Sequence, residues 1–197
     1  MEYKTQSKGF TIIETVVAIA ILSLVMVAPL TLAERGLNSS VYARDEVTAF
    51  YLAQEAIEYV RNVRDNNNLS GASESAGWLS GLDSSCGSGN GGCGVDTSAQ
   101  TVKSCNPITK SCILTFNSLT GIYGEQRDSS GNALPNWQDS IFTRSITITP
   151  NAIGSGQNYD GNAEADLAAT VSWKTGLLQK SITVNEKLFD WFPAPTQ

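Results

Sequence analysis

The sequence predicts an α+β fold: a long N-terminal α-helix packed on a C-terminal antiparallel β-sheet, with a disulfide-stapled loop region between the two. Three observations carry that prediction. An apolar run near the start passes into a segment with helical periodicity. Four cysteines lie in or beside a stretch crowded with glycine and serine, and the later part of the chain alternates apolar with polar residues. At 197 residues the chain has room for one compact domain plus an appendage.

The first element is the run from Phe10 to Ala33, which carries one charge, Glu14, among Ile, Val, Leu and Ala. As a helix it is about 36 Å long, enough to span about 30 Å of hydrocarbon with some tilt. Lys4 and Lys8 precede it and favour a cytoplasmic N-terminus, which puts the chain after Ala33 on the other side of the membrane. A carboxylate at the bilayer centre costs about 2.5–3.5 kcal/mol, so an intramembrane acid calls for a partner. A secretory signal peptide cut after Ala33, with Thr31 and Ala33 as its small residues, leaves Glu14 unexplained. So does a plain single-span anchor.

The short leader MEYKTQSKG and the junction Lys8-Gly9-Phe10-Thr11-Ile12-Ile13-Glu14 resemble the processing site of type IV pilins and type II secretion pseudopilins. That resemblance implies cleavage by a prepilin peptidase between Gly9 and Phe10 on the cytoplasmic side, and methylation of the new N-terminal Phe10. It also implies that Glu14 meets the terminal amine of a neighbouring subunit during assembly. Trimming would thus create the cation the acid lacks, one helical turn away and at the positive end of the helix dipole. The implied partners are other pilin or pseudopilin subunits, the peptidase, an inner-membrane assembly platform, and membrane lipid before assembly. The implied location is the cytoplasmic membrane, single-pass with an extracytoplasmic head, and then a pilus or pseudopilus at the cell surface.

Pro29 lies inside this helix and has no amide hydrogen to donate, so a kink or local melt is expected there, with Gly36 a second weak point. Beyond it, Val41 to Arg64 reads as an amphipathic continuation. Ala49, Ala53, Ala56, Ile57 and Val60 recur at three- and four-residue steps, with Glu46, Glu55, Glu58, Arg61 and Arg64 at other positions. Asn66-Asn67-Asn68 ends it. The expected organisation is a leader over 1–9, an assembly half-helix over 10–33, an amphipathic half-helix over 34–66, and a head over 67–197. Within the head, 67–111 is expected as loop and 112–192 as sheet.

The loop is too rich in glycine and serine to bury a core of its own. Cys86, Cys93, Cys105 and Cys112 supply a constraint. Six residues separate each outer pair and eleven lie between the pairs. Zinc sites use tighter spacing, and the chain has no histidine to contribute. With the head outside the cytoplasm, two disulfides are expected. Three connectivities are open, and the equal spacings lean towards Cys86–Cys93 and Cys105–Cys112.

The strand candidates are Cys112–Phe116, Gly121–Tyr123, Ile141–Thr149, Leu167–Lys174 and a returning strand with Leu178, Ile182 and Val184 after the turn Lys174-Thr175-Gly176. One apolar and one polar face mean a sheet covered on one side, with Val41–Arg64 as the cover. Arg144 falls on the apolar face of its strand, which suggests an edge strand or a different register. The closing segment "TVSWKTGLLQKSITVNEKLFDWF" is similar to the final hairpin of minor pilins and pseudopilins. Asp160, Asn162, Glu164 and Asp166 place oxygen atoms at every second residue, a weak calcium candidate that lacks the downstream glutamate of a calcium-binding helix-loop-helix. No cofactor is expected otherwise. Asn38-Ser39-Ser40 and Asn68-Leu69-Ser70 match a glycosylation sequon short enough to occur by chance.

Nineteen acidic against thirteen basic residues give a net charge of -6, which argues against nucleic acid as a partner. The absence of histidine removes the commonest base near neutral pH, and no enzymatic constellation stands in for it. The expected function is that of a minor pilin or pseudopilin, a structural subunit of a type IV pilus or secretion pseudopilus. The alternative is a secreted or anchored extracytoplasmic binding module with an ordinary signal or anchor segment.

Overall fold

The computed structural model of the chain describes residues 9–70, 77–87, 91–151, 164–176 and 178–191. Its internal contacts divide it into two units, Met1–Asp45 and Glu46–Gln197. One helix, α1 (Ile12–Leu69), begins in the first unit and ends in the second.

In the first unit Thr11 opens the helix. Its carbonyl accepts the amides of Glu14 at 3.1 Å and Thr15 at 3.2 Å, and its hydroxyl oxygen accepts the Glu14 amide at 3.4 Å. These bonds take up donors that a helix start leaves unpaired. Polar side chains within the apolar run bond back to their own helix. The Thr15 hydroxyl donates to Ile12 O at 2.7 Å, and the Ser23 hydroxyl to Ile19 O at 2.8 Å. These bonds pair the hydroxyl donors within the helix itself. The helix is continuous through Pro29 and Gly36, so the melt expected at the proline is absent from this conformation.

In the second unit the rest of α1 is joined by α2 (Asp83–Cys86) and by seven described strands. These are β1 (Cys93–Asp96), β2 (Thr101–Ser104), β3 (Ile113–Asn117), β4 (Ile122–Gly124), β5 (Trp137–Asn151), β6 (Glu164–Thr175) and β7 (Leu178–Phe189). They form one antiparallel sheet organised around β5. Along one side β5 pairs with β6 from Thr143 to Asn151. Its other side serves two partners in turn, β3 near its start and β1 at Ile146. The hairpins then extend outward, β4 from β3, β2 from β1 and β7 from β6.

The alternation read from the sequence sets the buried face. Phe142, Ile146 and Ile148 of β5 and Ala165, Leu167, Ala169, Val171 and Trp173 of β6 are all buried. So are Ala49, Ala53, Ala56, Ile57 and Val60 of α1, the stripe expected to cover the sheet, and Leu52 beside them. Phe116, Tyr123, Phe142 and Trp173 form a ring-to-ring chain across β3, β4, β5 and β6, with centroids 5.0, 5.7 and 6.2 Å apart.

Three expectations are revised. The segment 67–111 is more than loop: it supplies α2, β1 and β2, and Cys93 and Val95 of β1 are fully buried. On β7 the returning apolar face is covered unevenly. Leu178 is exposed, Ile182 and Val184 are half-buried, and Leu188 at the far end is buried. Arg144 is not on an edge strand. Its strand is the centre of the sheet, its register is the one the alternation gave, and the residue is 1% exposed.

Candidate functional site

Gly9 and Phe10 lie just before α1, and Phe10 is 76% exposed. Among the described residues nothing lies within 4 Å of where a Cβ on Gly9 would be. Glu14 follows in the first helical turn. Its spacing from Thr11, Thr11-Ile12-Ile13-Glu14, is that of a capping box. The carboxylate therefore suits the positive end of α1. This local role was legible in the threonine three residues ahead. From Ile12 to Leu32 the large apolar side chains are exposed, several by more than two thirds. Among the described residues α1 is the one helix long and apolar enough to cross a membrane.

The four cysteines form two local staples, Cys86–Cys93 and Cys105–Cys112. The first ties α2 to the start of β1. The second closes a loop against the start of β3, where the Cys112 carbonyl accepts the Arg144 amide at 2.8 Å. Of the calcium candidates, Asp160 and Asn162 fall outside the described residues. Glu164 and Asp166 both engage the Lys187 ammonium, and Asp166 also accepts the Asn151 amide at 2.9 Å. That bond and the lysine hold the Asp166 carboxyl below its ordinary value. Asn68, in one of the two sequons, is buried and closed to a glycan.

The head also holds a buried polar cluster that no sequence motif announced. The Arg144 guanidinium donates through Nη1 to Leu52 O at 2.9 Å and to Glu55 Oε2 at 3.1 Å, and through Nη2 to Val95 O at 2.6 Å. One side chain thus joins β5, α1 and β1. Glu55 additionally accepts the Thr97 hydroxyl. Asp96 is fully engaged: it accepts the amides of Ser98, Ala99 and Glu125 and the Gln126 side chain, the last at 2.7 Å. Glu125 is not. It is 6% exposed, and its Oε1 has no hydrogen-bond partner among the described residues. Burial pushes its carboxyl up to about 7; Arg144, Lys103 and Arg127 pull down, and Asp96 adds to the rise. Burial and Asp96 likewise raise the Tyr59 hydroxyl. A cavity of about 150 Å³ lined by Lys103, Ser111, Glu125 and Arg127 lies alongside.

At the other end of the α1–sheet joint, Arg61 makes a two-pronged ion pair with Glu186 of β7, both contacts at 2.6 Å. The Trp191 indole donates to Asp65 at 3.0 Å. The last turns of α1 are thereby tied to the closing hairpin.

An exposed apolar helix thus leads into an α+β unit stapled by two disulfides. Residues 4–28 match the family model of the prokaryotic N-terminal methylation motif, the prepilin-type signature of type IV pilins and pseudopilins. The match contains Gly9, Phe10 and Glu14 and supports a type IV pilin-like protein processed by prepilin peptidase. No curated protein and no solved structure matches the chain.

Proposed function

We propose that the chain is a minor pilin or pseudopilin: a structural subunit made as a membrane precursor, trimmed between Gly9 and Phe10, methylated on Phe10 and built into a filament through α1. The observation that carries this reading is the methylation motif over residues 4–28 on a helix whose apolar side chains are exposed. In the membrane those side chains contact lipid, and in a filament they contact the helices of other subunits. Glu14 sets the register between them by pairing with the amine that cleavage exposes on a neighbour. The two disulfides suit a head on the extracytoplasmic side. The subunit performs mechanical and adhesive work with no chemistry of its own.

The test is Glu14→Gln in cells that assemble the filament. The variant is expected to be trimmed normally and to remain in the membrane, while its amount in the sheared filament fraction falls at least tenfold. Wild-type incorporation of Glu14→Gln would refute the pairing role and with it the assembly mechanism.

A further inference from the structure

We propose that Glu125 is a proton-operated latch on the joint between α1 and the sheet, with Arg144 as the part that changes partner. The proposal stands on the arrangement of the buried cluster and is independent of the filament reading. Three charged side chains are buried there, each with an atom that has no hydrogen-bond partner among the described residues: Glu125 at Oε1, Arg144 at Nε and Arg127 at Nε. The Glu125 carboxyl occupies space that only glycine leaves open. A Cβ on Gly94 would lie 2.3 Å from its Oε1 and 2.6 Å from its Oε2. A protonated carboxyl tolerates this place, because a neutral group needs no counter-ion. An ionised one does not.

The charged and titratable groups around Glu125 come from every element nearby. They are Asp96 of β1, Lys103 of β2, Arg127 and Asp128 shortly after Glu125 itself, Arg144 of β5, and Glu55 and Tyr59 of α1 at the edge of the cluster. Asp96 has its donors already, and Arg127 is held by Gly131 O, Ile113 O and Asp139. Arg144 is the strongest opposing charge on Glu125. Its present bonds reach Leu52 O and Glu55 on α1. When Glu125 loses its proton, the guanidinium turns toward it and gives up those two acceptors. The Glu55 side chain is 38% exposed and takes water in exchange. Acid keeps the latch on α1; alkali moves it to Glu125.

A raised carboxyl favours the folded state below its unfolded value, and the advantage is lost as pH rises through the folded value. With 4.5 unfolded and about 7 folded, the folding equilibrium constant falls about 30-fold between pH 5.5 and 8. The chain is suited to the measurement because it has no histidine and all four cysteines are bridged. The experiment is urea unfolding of the full chain in detergent micelles across that range, for wild type and Glu125→Gln. Wild type should lose stability as pH rises while Glu125→Gln stays flat, and α1 amides near Leu52 should exchange faster at pH 8 than at pH 5.5, beyond the intrinsic rate, in wild type alone. Identical pH profiles, or exchange near Leu52 that ignores Glu125, would overturn the latch. Should Glu125→Gln not fold, the Glu125 carboxyl-carbon signal of labelled wild type decides. A midpoint near neutrality supports the proposal, and one below pH 5 overturns it.

Discussion

Replacing Arg144 by methionine keeps an unbranched side chain at the centre of the sheet and removes all of its donors. The structure sets the size of the loss. Of the three acceptors, the Glu55 carboxylate is partly exposed and rehydrates, so its ion pair contributes little to the difference. The carbonyls of Leu52 and Val95 lose a charged donor at 2.9 and 2.6 Å. At about 1.5 kcal/mol for each bond to a charged group, the expected destabilisation is about 3 kcal/mol. One effect works the other way: an apolar residue in place of a buried charge regains the desolvation free energy. It does not win here, because Arg144→Met leaves two buried carbonyl acceptors facing an apolar side chain. The assay is urea unfolding of the micelle-bound chain followed by tryptophan fluorescence, since Trp78 and Trp173 are both buried. The midpoint should drop with the slope unchanged. Arg144→Lys should lie between the two, because an ammonium cannot reproduce the planar fork. A methionine variant as stable as wild type would refute the reasoning and leave the joint to apolar packing alone.

Other perturbations separate the remaining contributions. Gly94→Ala puts a methyl within 2.3 Å of Glu125 Oε1, and overpacking of this kind should cost about 1–3 kcal/mol in the same unfolding assay. Cys86→Ser with Cys93→Ser opens a seven-residue separation between two fully buried sulfurs and should cost about 2.5 kcal/mol on chain entropy alone; reducing agent should have no further effect at that staple. Arg61→Ala breaks the pair with Glu186, but Arg61 is 40% exposed, so denaturation should register at most about 1 kcal/mol.

Long-range periodicity made much of this fold legible. The stripe Ala49, Ala53, Ala56, Ile57 and Val60 marked the buried side of α1, and the alternation from Phe142 to Ile148 marked the buried side of β5. Equal spacing favoured the cysteine pairs that the structure contains. What was illegible depends on partners far apart in the chain. Strands β1 and β2 are four residues each, too short for a period to show, and β1 gains its place from the Cys86 staple and from pairing with β5. Arg144 suggested an edge because a charge on an apolar face normally seeks water. Its acceptors are 92, 89 and 49 residues away, on α1 and β1, and only the fold brings them within reach. Glu125 sits in no motif at all, and its burial, with Asp96 adding to the effect, gives it its character. At the N-terminus the motif is local, which is why Gly9, Phe10 and Glu14 stand out without any tertiary information.

The central claim is that the chain is cut ahead of Phe10 to free a cation at the start of α1. Mass spectrometry of the N-terminal peptide, from protein made in cells with an active prepilin peptidase, tests it most directly. The account predicts a peptide beginning at Phe10 and carrying one methyl group on its amine. A peptide beginning at Glu34, or an intact Met1, would contradict it.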